Sequence, residues 1–265
     1  MGVLDKAYNG LCSFVDGFAN STSGSETPSQ KMENKEAWYA EWDENYLDGV
    51  INNPLTRQIL RKIADTYYGA QLDDIMTSAS ELTPHSFPML HNVFQYCCNI
   101  LGMYNQPKAY ITRKIRGVNA LSLEVKGNKL ILISPKVTTH LTPEEQSFLL
   151  GHEISHHQQG NLVCHTTNGL IDKLGNISQV FGPLIIDTIE VPLKRWCRCS
   201  EFNADRGGFL CCDDIQTIES LFIKVGMNKS SSAYEDYKEI GEAHPMLHSR
   251  LEILRSYSKR KQQTT

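Results

Sequence analysis

"FLLGHEISHHQQGN", residues 148–161, places three histidines and a glutamate within six positions. His152 and His156 are four apart, so on a helix they stand one turn from each other on the same face. Glu153 sits beside the first of them. This is the H-E-x-x-H pattern, in which the two histidines bind zinc and the glutamate serves as general base. The apolar run Phe148, Leu149 and Leu150 just before it suits a helix buried on one side and open to a cleft on the other. Buried histidines need a partner, and a metal supplies one. His157 is rotated away from the pair and is expected to face solvent.

The start of this helix is written upstream. In "TPEEQSFLLGHEISHHQQG", Thr142 is placed to cap, Pro143 takes the first helical position and Glu145 the third, which is a capping box with proline where it is best tolerated.

Zinc needs a third protein ligand. The continuation H-x-x-G-x-x-H fails here, because Gln159 and Leu162 stand at its glycine and histidine positions, with Gly160 and His165 out of register. Asp172 and Glu190 are isolated acids. In "SEFNADRGG", by contrast, Glu201 and Asp205 are four apart, so one helix face presents two carboxylates to the same region. One can ligate a metal and the other can accept the outer N–H of a ligating histidine. Gly207 and Gly208 allow that helix to approach a neighbour closely.

Elsewhere the pattern is mostly helical. Leu4, Ala7, Tyr8, Leu11, Phe14, Val15 and Phe18 share a face of an amphipathic helix, followed by the linker "NSTSGSETPSQK". Helical patterning resumes with Trp38, Trp42 and Tyr46 on one face and continues over 56–79 and 86–103. The period then changes. "KAYITRK", "VNALSLEV" and "KLILIS" read as strands, the last two joined by a hairpin turn at Lys126-Gly127-Asn128-Lys129. Helices are expected again at 168–190, 196–211, 214–225 and 246–259. The chain therefore divides into residues 1–34 (helix and linker), 35–104 (helical) and 105–260 (metal-binding domain). The fold class is α+β, mostly helical with a small sheet.

Of the 265 residues, 40% are hydrophobic and 21% charged, ordinary for a globular protein with a core. The net charge of -4 and the lack of a basic stripe argue against a nucleic-acid partner. The best candidate for a membrane span, Leu174–Ile186, has only 13 uncharged residues where about 20 are needed, and Pro183 interrupts it. With no secretory signal in the first twenty residues, a cytoplasmic protein without integral membrane insertion is expected, and the eight cysteines read as reduced, mostly buried thiols. Cys197, Cys199, Cys211 and Cys212 match no zinc-ribbon spacing.

Taken in order, "NALSLEV", the strand-to-helix segment "KLILISPKVTTHLTPEEQSFLLGHEISHHQQGN", "SEFNADRGG" and "HPMLHSR" resemble the HtpX-like and CAAX prenyl endopeptidase family of gluzincin metallopeptidases, family M-48. The resemblance spans roughly residues 105–255. It departs where relatives carry membrane helices and this chain has none, and the first 100 residues match nothing in it. It implies a gluzincin-like domain with an active-site helix and one zinc ion bound by His152, His156 and Glu201. It further implies Glu153 as base and proton shuttle, and Asp205 orienting a ligand. His244 would lie near the metal, donating to the oxyanion or plugging the open position. Arg250 would pair with an acid such as Asp205 or meet developing charge. The expected reaction is hydrolysis of a peptide or protein substrate laid along an edge strand marked by Asn119 and Ala120. The alternative is a latent or inactive zinc-binding scaffold for protein interaction, with the N-terminal helix making an intramolecular or partner contact; the intact Glu153 favours the enzyme.

Overall fold

The computed structural model describes residues 51–160, 162–171, 183–225 and 247–264. The elements run α1 (Pro54–Met76), β1 (Ser80–Glu81), α2 (Pro88–Ile100), β2 (Lys108–Ile111), β3 (Ala120–Val125), β4 (Asn128–Ile133), α3 (Pro135–His140), α4 (Pro143–Gln158), α5 (Leu162–Ile171), α6 (Pro183–Cys212), α7 (Ile215–Val225) and α8 (Leu247–Thr264). The expected helix and linker in 1–34 and the aromatic face at 38–46 lie outside the described residues.

The four strands lie in the order β1-β2-β4-β3. β3 and β4 form the hairpin, with Val125 opposite Asn128. Lys126 and Gly127 turn it with φ of 50° and 73°, the left-handed pair that a two-residue hairpin of matching twist requires. β2 adds parallel to β4 and β1 antiparallel to β2, which leaves β3 at an edge. Both faces of the sheet are covered. Ile131 and Ile133 point to a core shared with Leu90 and Phe94 of α2 and with Leu150 and Ile154 of α4. Leu130 and Leu132 point the other way, into a cluster with Leu72 of α1. Burial on both sides explains why "KLILI" is continuously apolar rather than alternating. A further cluster joins Ile59, Leu60 and Ile63 of α1 to Val163 of α5 and to Leu193 and Trp196 of α6.

α4 begins as its sequence dictates. The Thr142 side chain accepts from the Glu145 N–H at 3.3 Å, and Glu145 accepts from the Thr142 N–H at 2.9 Å. Glu145 also receives Lys224 of α7 at 2.7 Å and Ser220 at 3.0 Å, which ties the helix start to α7. Burial alone would raise the Glu145 carboxyl, but the bonds from Lys224, Thr142 and Ser220 outweigh it and hold it below its ordinary value.

α4 and α6 pack at backbone contact. A β-carbon on Gly208 would lie 2.7 Å from the Phe148 carbonyl, and one on Gly151 would lie 2.8 Å from the Cys211 sulfur. The close approach expected of Gly207 and Gly208 is thus to the active-site helix, where no side chain fits between the two.

Several boundaries differ from the sequence reading. The strand expected over Val118–Val125 begins at Ala120, because Gly117 turns the chain with φ 72°. "KAYITRK" is strand only to Ile111. The helices expected at 168–190 and 196–211 are replaced by α5, starting at Leu162, and by α6, which runs unbroken through Pro192. Proline deletes one helical donor, and the long helical segments on either side of it maintain the register. Residues 172–182 lie outside the described ones. The seven described cysteines are free thiols, six of them buried. Among the described residues, they contribute to no group able to hold a metal ion.

Candidate active site

α4 lies almost wholly inside the protein, and His152, Glu153 and His156 are each no more than 6% exposed. α6 crosses it at the glycine contact and carries Glu201 and Asp205 onto the same spot. The two Nε2 atoms of His152 and His156 face each other at 3.0 Å. The Glu201 carboxylate stands 3.6 Å from the first and 3.5 Å from the second. His152, His156 and Glu201 are the group able to hold a metal ion among the described residues.

The donor set fits a cation. His152 Nδ1 lies 2.9 Å from Asp205 Oδ1. An ionised carboxylate only accepts, so this ring carries its proton on Nδ1 and turns the Nε2 lone pair inward. A second imidazole nitrogen and a carboxylate converge on the same point. Such a concentration of lone pairs in a buried site needs a positive charge at its centre, and two histidines with one glutamate are donors suited to zinc.

Arg250 of α8 closes the far side. It donates to Asp205 through Nε at 2.8 Å and Nη2 at 2.5 Å, and its Nη1 lies 3.5 Å from Glu201 Oε2. Its guanidinium also stands over the Phe222 ring at 5.3 Å. Burial would push the Asp205 carboxyl up, yet the charge and bonds of Arg250 and the bond to His152 hold it below the usual range. Burial likewise opposes protonation of His152, and the Asp205 bond with the Glu201 and Asp205 charges overrides it, so its pKa is raised.

His165, passed over in the sequence because it is out of register with an extended motif, is brought to the site by the fold. Gly160, with φ 76°, turns the chain at the end of α4, and α5 sets the His165 ring 3.9 Å from that of His156. His165 Nδ1 is 3.8 Å from Glu201 Oε1, and Nε2 is 2.7 Å from Ser200 Oγ. Glu201 is therefore bracketed, with Arg250 and His152 at one oxygen and His156 and His165 at the other. The only sequence signal was the glycine that ends α4. His157 corrects an expectation. It is half-buried, its Nε2 has no hydrogen-bond partner among the described residues, and burial, with His156 and Lys129 nearby, lowers its pKa to about 4. His244 lies outside the described residues.

The site forms the floor of a cleft of about 890 Å³. Leu149, Leu221 and Phe222 line one flank, Tyr68, Leu72 and Ile75 the other, and Asn119, Ala120 and Ser122 run between them. Ser122 Oγ donates to the Glu153 main-chain carbonyl at 3.0 Å, fixing the strand to the helix at that point.

The model of "Peptidase family M48" matches residues 84–258. "Plastoglobule-localized metallopeptidase 48, chloroplastic" of Arabidopsis thaliana is 27% identical over 155 residues, covering 58% of this chain and 44% of that protein. The chain thus spans less than half of that relative's length. The crystal structure of S. mikatae Ste24p aligns with 94% of this chain and 66% of its own, at 14% identity and a TM-score of 0.43, a likeness that carries no argument by itself. With the matched region covering most of the chain and including His152, Glu153, His156, Glu201, Asp205 and Arg250, the chain belongs to peptidase family M48.

Proposed function

We propose that the protein is a zinc-dependent endopeptidase in which Glu153 is the general base. The observation that supports this best is the convergence of His152 Nε2, His156 Nε2 and the Glu201 carboxylate beside Glu153, at the floor of a cleft bordered by the edge strand β3. His152, His156 and Glu201 would hold one zinc ion, which would supply Lewis-acid polarisation of water and of the scissile carbonyl. Glu153 takes the proton of the attacking water and returns it to the amine that leaves as the carbon–nitrogen bond breaks. Asp205 keeps the proton of His152 on Nδ1 and so keeps its Nε2 lone pair inward. Arg250 keeps Asp205 ionised and offsets part of the negative charge of Glu201. Asn119 and Ala120 lie on the edge along which an extended peptide adds as a further strand.

Residues 1–34, on which the scaffold alternative rested, lie outside the described residues, and no described feature favours that alternative. No described helix is long and apolar enough to cross a membrane. We place the protein in the cytoplasm; peripheral membrane association is the alternative, which the plastoglobule-localized relative raises. The test is cleavage of unfolded casein by protein carrying one zinc per chain, with chelation and zinc re-addition. Loss and recovery of cleavage support the proposal, and no cleavage at full zinc loading sinks it.

A further inference from the structure

The free edge of β3 is shorter than the strand itself. Along an antiparallel strand, alternate residues turn their N–H and C=O towards the partner and away from it. The Asn119 carbonyl accepts from the Ser134 N–H at 2.9 Å, so residues 119, 121, 123 and 125 face β4. Ala120, Ser122 and Glu124 face outward. Of these, Glu124 is already engaged: its N–H donates to Thr166 Oγ1 of α5 at 2.8 Å. Thr166 is held in turn by its own bond to the Leu162 carbonyl at 3.1 Å. α5 therefore lies along the edge and closes it beyond Ser122, while its neighbouring residue His165 stands against Glu201. At the opposite end, past Ala120, Asn119, Gly117 and Arg116 line the open cleft and are exposed.

Glu153 is tied to position 122 through the Ser122 bond to its carbonyl, so the reacting bond of any substrate must lie near Ala120 and Ser122. From Ser122 to Glu124 the strand rises only about 7 Å, at about 3.4 Å per residue. Antiparallel pairing is the more stable arrangement. In it the amino-terminal side of a substrate runs towards Glu124 and the carboxyl-terminal side towards Asn119 and Gly117.

We infer that this cleft reads its substrate asymmetrically, pairing with no more than about two residues on the amino side of the scissile bond and with a longer segment on the carboxyl side. Thr166 is the specificity-determining residue that sets the limit. This rests on the peptidase reading above and names its substrate class: extended segments cut close to a chain start, or just after a point where the chain bends away.

Two arms test it with the full chain loaded with zinc. In the first, amide hydrogen exchange is followed at single residues. The Glu124 amide exchanges at least 100-fold more slowly than those of Ala120 and Ser122; comparable rates at all three overturn the closure. In the second, a site cut in unfolded casein is rebuilt as nested peptides with one to four residues before the scissile bond and four to one after it. We expect kcat/KM to level off, within 2-fold, at two residues on the amino side, and to fall 10-fold or more as the carboxyl side is trimmed. Equal gains on both sides, or a plateau on the carboxyl side instead, overturn the inference while leaving the peptidase assignment intact. Failure of the zinc-loaded protein to cut casein at all overturns the peptidase assignment, and this inference with it.

Discussion

Replacing Asp205 with asparagine separates the charge of this residue from its shape. Asp205 is 1% exposed and accepts from His152 Nδ1 at 2.9 Å and from Arg250 through two nitrogens. Asparagine keeps one acceptor for His152 but removes the anion that fixes that ring's tautomer. Loss of such an outer partner weakens metal binding by about 10–100-fold, which is about 1.4–2.7 kcal/mol at about 1.36 kcal/mol per decade. Arg250 is also left with less compensation. Breaking a buried pair costs about 3–5 kcal/mol, and Glu201 at 3.5 Å moderates the loss, so the low end of that range is expected. Chelator competition gives the zinc dissociation constant, and thermal unfolding at saturating zinc gives the stability. A variant with the zinc affinity and melting temperature of the parent would refute the claim that Asp205 organises both His152 and Arg250.

Other consequences are independent of that one. Gly208→Ala must place its β-carbon 2.7 Å from a backbone carbonyl, so α4 and α6 shift apart. Unfolding should show a loss of about 1–3 kcal/mol together with weaker zinc binding, and an unchanged Tm would remove the close contact from the account. Thr142→Ala deletes the α4 cap at a cost of about 1 kcal/mol, seen as a drop of about 2–4 °C in Tm; no drop would mean the capping box carries no stability. The Glu145 carboxyl is held below its ordinary value in the folded chain, so its contribution is present above the unfolded pKa of about 4.3 and is lost as pH falls through the lower folded value. Urea midpoints measured from pH 7 down to pH 3 should therefore fall more steeply for the parent than for Glu145→Gln, and parallel curves would contradict this. Ala120→Pro removes an N–H that faces the cleft, so KM should rise about 10-fold with kcat little changed; an unchanged KM would count against strand pairing.

What the sequence made legible was local. The spacing of His152 and His156, the cap at Thr142, the hairpin at Lys126-Gly127 and the i,i+4 pair Glu201 and Asp205 each depend on residues within a turn or two of one another. Helical and strand periods translate directly into shared faces at that range. The departures are nonlocal. Parallel pairing of β2 with β4 is not readable from either strand alone, since the apolar run of β4 marks burial on both faces but neither its partner nor its direction. The passage of α6 through Pro192 follows from the helical length on either side of it, which outweighs the local propensity. His165 and Thr166 reach the site only because the chain reverses at Gly160, and neither belongs to a spaced motif. The bond from the Glu124 N–H to Thr166 that shortens the free edge of β3 joins residues 42 positions apart.

The central claim is that Glu153 acts as base beside a metal held by His152, His156 and Glu201. Its most direct test is casein cleavage by the parent and by Glu153→Gln, with zinc measured in both and matched at one ion per chain. The account predicts equal zinc content, equal Tm, and a loss of cleavage of at least about 100-fold in the variant, within the range that general-base catalysis contributes. Cleavage by the variant at the parent's rate would contradict it.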